Sequence, residues 1–137
     1  MSCSVEELTL GFSVTVGKYP NGPALFRVGV AANDADRERG LMFVRHLPDA
    51  SGLLFVFDDD SRKSFYMRNT LISLDMIFID RDGYIVDIYE CATPLSLESV
   101  VSRRGARYVL EVNCGAAERV GLQIGDRLEF RQGGATG

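Results

Sequence analysis

The sequence predicts a mainly β protein: a small closed or partly open β-barrel with two short helices. Three observations carry this. Apolar residues recur with period two along most of the chain. The apolar runs are short, and Gly, Pro, Asn and Asp separate them at short intervals. About eight such runs occur in 137 residues, and many short strands in a small chain pack as a sandwich or barrel. Closure into a barrel also removes exposed strand edges.

The elements follow in order. In "LTLGFSVTVG", Leu8, Leu10, Phe12, Val14 and Val16 share one face, the mark of a half-buried strand. "ALFRVGVA" is a second strand. Asn33 is placed to cap a helix with Asp34 and Asp36 in its first turn, and Gly40 to end it in a left-handed conformation. "GLLFVFD" reads as a buried strand, and "KSFYMR" and "SLDMIFID" as the next two. Asp82-Gly83 suits a tight hairpin turn before "YIVDIYE", and Pro94 stops that strand. Periodicity is weak from Leu95 to Ala106, which reads as a loop with at most one helical turn. "RYVLEVN" is a strand, "GAAERVG" a short helix closed by Gly121, and "GDRLEF" the last strand, alternating Leu128 and Phe130. There is no internal repeat and no linker. We therefore expect one domain over residues 1–137, with a core from about 8 to 131 and a frayed tail over 132–137.

Composition narrows the function classes. The chain is 46% hydrophobic and 25% charged, ordinary for a globular protein, with a net charge of −4. A mildly acidic chain is poorly suited to nucleic acid, which needs cations facing phosphates. No apolar run reaches the roughly 18–20 residues that span a bilayer. The opening "MSCSVEELTL" lacks a basic segment followed by an apolar one, so no signal peptide is expected in this chain. Cys3, Cys91 and Cys114 are scattered and odd in number. Buried or free thiols are the expectation, with room for one internal disulfide. His46 is the sole histidine, so no transition-metal centre is expected, and with neither a Walker loop nor a G-x-G-x-x-G no cofactor is expected. Asp58, Asp59 and Asp60 read as a solvated loop, and "DRDG" as a turn without the further ligands of a calcium loop.

One stretch breaks the pattern. "SFYMRNTLISLDMIFID" places Arg68, Asn69, Thr70 and Asp75 within a strongly apolar segment. Asn69-Thr70 suits a turn, since Asn tolerates a left-handed backbone. Phe65 and Met67 share one face, with Tyr66 and Arg68 on the other. Asp75, between Leu74 and Met76, needs partners if buried; Arg39, Arg68 and the main chain at Asn69–Thr70 are the candidates. The same polar groups also have the make-up of a pocket.

"DRERGLMFVRHLP", "GLLFVF", "FYMRNTLISLDMIFID" and "YVLEVNCGAAERVGLQIGD" together resemble the DUF192 family, also called UPF0127, over about Thr9 to Phe130. The family pattern has Trp-Met-Lys-Asn-Thr where this chain has Tyr66-Met67-Arg68-Asn69-Thr70, and Pro where it has Ser73. The resemblance implies a small barrel-like β domain without an established reaction, and slightly favours an exported or envelope-associated setting. The last motif also resembles the GD box of small β-barrels, which implies that Asp126 bonds main chain at a turn.

Three functions compete. The first is a non-catalytic module binding a small molecule or peptide through Arg39, Met42, Met67, Asn69, Thr70, Asp75 and Glu111, an apolar neighbourhood with convergent polar groups. The second is a hydrolase or transferase that divides acid and base roles between Asp75 and Glu111, which requires the two to converge. The third is a structural domain of an envelope assembly, which requires both carboxyls to be paired with no cavity beside them. The absence of an activated nucleophile or metal-ligand set favours binding over catalysis.

Overall fold

A seven-stranded sheet, with order β6-β5-β8-β3-β2-β1-β9, curls strongly into a half-barrel, and a two-stranded ribbon, β4-β7, lies beside it. The structure is a computed structural model and describes residues 14–132. Its strands are β1 (Val14–Lys18), β2 (Ala24–Ala31), β3 (Ser51–Val56), β4 (Arg62–Phe65), β5 (Leu74–Ile79), β6 (Ile85–Ala92), β7 (Val100–Gly105), β8 (Tyr108–Asn113) and β9 (Leu128–Gln132). The helices are α1 (Asp34–Arg39) and α2 (Ala116–Arg119). The two edge strands of the sheet approach at one corner, where Tyr84 bridges Arg127. Of the expected first strand, Leu8, Leu10 and Phe12 lie outside the described residues, as do Cys3 and positions 133–137.

The sheet is buried on both faces. One face carries Val16, Phe26, Val28, Leu54, Ile77, Leu110 and Leu128, with Ala116 and Ala117 of α2 packed against it. The other carries Leu53, Phe55, Leu74, Met76, Phe78 and Val109. Strand β5 is buried throughout because it serves both cores, which explains the unbroken apolar run in "LDMIFI".

Strands β2 and β3 are parallel, so their connection must cross over the sheet. That crossover contains α1 and lays Leu41, Val44 and Leu47 on the second face. Asn33 caps α1 by accepting from the Asp36 N–H at 2.8 Å, as expected. Gly40 has a positive φ of 49° but a ψ of −129°, so it is not the left-handed helical stop anticipated. Its need for glycine is close approach: a Cβ there would lie 3.1 Å from the Phe55 ring.

Three expectations change. Leu95 to Ala106 is not simply a loop, because it contains β7, which pairs with β4. The inward position of β7 is filled by buried Ser102, whose hydroxyl accepts from Lys63 N–H and donates to Arg104 C=O, both at 2.8 Å. A polar inward residue erased the apolar alternation. Asp59 and Asp60 are not merely solvated. Lys63 lies 2.7 Å from Asp59, while Arg81 and Arg107 both pair with Asp60. Hydrogen bonds from Lys63 and Ser61 hold the Asp59 carboxyl well below the usual carboxylate range, and those from Arg107 and Arg81 lower Asp60 to about 2. Finally, Cys91 and Cys114 form a disulfide with a Cα–Cα distance of 4.6 Å. Sequence spacing concealed this because β6 and β8 flank β5, which brings their ends together.

Candidate functional site

The second face of the sheet is incompletely filled. Between it, α1 and the β4-β7 ribbon lies a cavity of about 260 Å³. Arg37, Glu38 and Arg39 line it from α1, followed by Gly40, Leu41 and Met42. Phe55 and Phe57 come from β3 and its end, and Ser64 and Phe65 from β4. Tyr66 and Thr70 close one side, and Glu111 of β8 lies against the sheet. The aromatic wall is rigid: Phe65 meets Phe55 edge-on at 5.0 Å and Phe57 edge-on at 6.2 Å between ring centroids.

Main-chain bonds fix the walls. Asn69 adopts a φ of 54°, as its turn role requires, and Thr70 N–H donates to Met67 C=O at 3.0 Å. Phe43 N–H donates to Asn69 C=O at 2.8 Å, tying the segment after α1 to this turn. On the other side, Leu95 N–H donates to Thr70 C=O and Met67 N–H to Ser96 C=O, both at 3.0 Å. The turn is thus clamped between two loops.

Glu111 is the chemically unusual member. It faces its cross-strand neighbours Leu53 and Met76, both apolar core residues. Its residue is 4% exposed, and its side chain makes no hydrogen bond or ion pair with any described residue. Burial alone raises its pKa to about 8. At neutral pH it is therefore a carboxylic acid, able to donate a hydrogen bond into the cavity. Gly52, opposite Val112, lets β3 approach here: a Cβ would lie 2.3 Å from the Glu111 carbonyl oxygen.

The candidate residues divide into three groups. Arg39, Met42, Thr70 and Glu111 meet in the cavity. Asn69 lines an adjoining shallow recess with Arg39, Met42, Tyr66 and Arg68. Met67 is packed in the core behind the turn. Asp75 lies on the opposite face: its cross-strand partner is Val112 of the first core, whereas Met76 pairs with Glu111. Asp75 and Glu111 therefore do not converge.

Asp75 is fully buried, as its context demanded, but its partners are neither the expected arginines, Arg39 and Arg68, nor the main chain at Asn69–Thr70. One oxygen accepts from Cys91 N–H at 2.9 Å, and the other from Gly115 and Ala117 N–H at 3.1 and 3.0 Å. It ties the end of β6 to the start of α2, alongside the Cys91–Cys114 disulfide that joins the same two segments. The carboxylate and the two sulfurs lie within 4.8 Å of one another. Both sulfurs are spent on each other, so this is a structural knot.

The sequence reading missed the aromatic wall. Phe55, Phe57 and Phe65 read as strand core, and only the crossover and ribbon show that their edges border open space.

A family model for DUF192, described as "Uncharacterized ACR", matches residues 17–130. A "UPF0127 protein" of Thermococcus sibiricus is 31% identical over 118 residues, covering 85% of this chain and 71% of that protein. Two crystal structures are similar. One is a "putative transcription regulator" from Sinorhizobium meliloti, with 38% identity and a TM-score of 0.79 over 87% of this chain and 92% of that one. The other is a protein of unknown function from Novosphingobium aromaticivorans, with 35% identity and a TM-score of 0.77 over 85% and 83% of the two chains.

Proposed function

This chain belongs to the DUF192 family, whose description is "Uncharacterized ACR", and we propose from its own site that it is a non-catalytic module binding a small molecule in the Glu111 cavity. The observation that carries this reading is the Glu111 carboxyl, which has no partner among the described residues and opens onto an aromatic-lined space. A buried polar group without a partner costs stability, and a ligand that accepts its hydrogen bond recovers that cost. The cavity volume of about 260 Å³ equals about nine waters at ~30 Å³ each, which favours a small molecule over a peptide.

The two other readings draw less support. Acid–base catalysis by Asp75 and Glu111 needs both on one reacting atom, and they occupy opposite faces of the sheet. A purely structural role suits Asp75 but leaves Glu111 unexplained. A nucleic-acid role, as in the name of the Sinorhizobium protein, is opposed by the net charge of −4 and by described helices of only six and four residues.

The test is a screen of small organic acids, amines and neutral aromatics by ¹H–¹⁵N NMR. Hits are expected to shift the amides of Met42, Tyr66, Thr70 and Glu111. The variant Ser64→Phe, which fills the cavity from an exposed position, should abolish those shifts while leaving the melting temperature nearly unchanged. Hits that map elsewhere, or that bind Ser64→Phe equally well, would overturn the reading.

A further inference from the structure

Resting on that binding reading, we infer that the cavity's occupant is a small organic anion: an apolar body with its negative group in the adjoining recess between Arg39 and Arg68 and an oxygen acceptor on Glu111 at the inner end. Three features of the site specify these three parts.

The inner end calls for an acceptor. The Glu111 carboxyl has no partner among the described residues, and the residues flanking it on β3 and β5, Leu53 and Met76, offer none. The charged and titratable groups that line the cavity with it are Arg37, Glu38 and Arg39 of α1 and Tyr66 beyond β4. With Glu111 protonated, an approaching carbonyl, ether or phenol oxygen receives its proton in a hydrogen bond, whereas a ligand ammonium has no lone pair to accept it.

The middle calls for an apolar body, since Leu41, Met42, Phe55 and Phe65 form the walls. The mouth calls for a negative charge. Arg37 is already engaged: it donates to Ala32 and Val56 carbonyls and to Asp34 at 2.7, 2.8 and 2.8 Å. Arg39 is exposed and held only by Asp36 at 3.6 Å. Arg68 is exposed and makes no side-chain hydrogen bond or ion pair with any described residue. Against these two cations stand Glu38, which lines the same recess, and Asp36, which holds Arg39 but lines neither the recess nor the cavity. Among the side chains that line this recess the cations outnumber the acids by two to one, and Arg68 has no partner among the described residues, which favours an anion over a cation.

One scaffold in several states tests the inference. The probes are 4-acetylbenzoate, the neutral 4-acetylbenzamide, the cationic 4-acetylbenzylammonium, and 4-ethylbenzoate, which lacks the acetyl oxygen. Dissociation constants are read from the shifts of the Met42, Tyr66 and Glu111 amides at low salt. We expect 4-acetylbenzoate to bind most tightly, with the benzamide about three- to tenfold weaker and the ethyl analogue about two- to tenfold weaker. Affinity for 4-acetylbenzoate should fall about tenfold from pH 7 to pH 9 as Glu111 ionises, and Glu111→Gln, which keeps a donor, should remove that dependence. Arg39→Met with Arg68→Met should erase the preference for benzoate over benzamide. If 4-acetylbenzylammonium binds most tightly and depends on Glu111, the anion inference falls and the binding reading stands. If no probe shifts the cavity amides at several millimolar, both fall.

Discussion

Replacing Glu111 by glutamine is expected to lift a pH-dependent cost from the fold. In the unfolded chain the carboxyl titrates near its ordinary value of 4.5; in the folded chain burial raises this to about 8. Between those values the native state holds a proton that the unfolded state has released. Stability therefore falls as pH rises through that window, by about 1.4 kcal/mol per pH unit. From pH 5 to pH 7 the loss is about 3 kcal/mol, a large share of the roughly 5–15 kcal/mol available to a domain. Glutamine has nearly the same shape and does not titrate. Urea unfolding, followed by circular dichroism at pH 5, 6, 7 and 8 with the disulfide intact, gives the stability of both proteins. Subtracting one from the other cancels the titration of every group the two proteins share. The difference should grow in favour of Glu111→Gln by about 1.4 kcal/mol per unit. A difference that stays flat to within about 0.5 kcal/mol would refute the reasoning, since it would mean that Glu111 titrates alike in both states.

Two further outcomes test the structural knot on the opposite face. Asp75→Asn leaves one acceptor oxygen for three buried N–H groups and turns an amide N–H₂ towards donors, so it should cost about 2–4 kcal/mol by urea unfolding. Arg39→Met should add to it without coupling, because Arg39 lies on the other face; a coupling above about 0.5 kcal/mol would contradict that placement. Reducing Cys91–Cys114, or replacing both by serine, should cost about 3 kcal/mol, the entropy of opening a loop with a sequence separation of 23. An unchanged unfolding midpoint under reductant would count against the bridge.

What the sequence made legible follows from which forces act locally. Eight of the nine strands were readable, most because alternation reports one buried face and β3 and β5 because a short unbroken apolar run reports two, and the capped helix was readable from Asn33. Strand β7 was not, because Ser102 holds its inward position through hydrogen bonds that hydropathy cannot register. The site was half legible. Arg39, Met42, Thr70 and Glu111 were named and do meet, since polar groups in apolar runs mark places where the core needs an explanation. Asp75 was named for the same reason, but the one-residue offset between Asp75 and Met76 across from β8 sends it to the other face. The disulfide and the aromatic wall depend on strand order and on the crossover, which are long-range facts that spacing along the chain does not carry.

The account turns on Glu111 being a protonated acid that meets its ligand in that form. A ¹³C NMR titration of the Glu111 side-chain carboxyl, without ligand and with saturating 4-acetylbenzoate, tests this directly. The expected midpoint is about 8 in the free protein, moving upward when the probe binds because binding favours the protonated form. A free midpoint in the ordinary carboxylate range, or one that the probe leaves in place, would contradict the account.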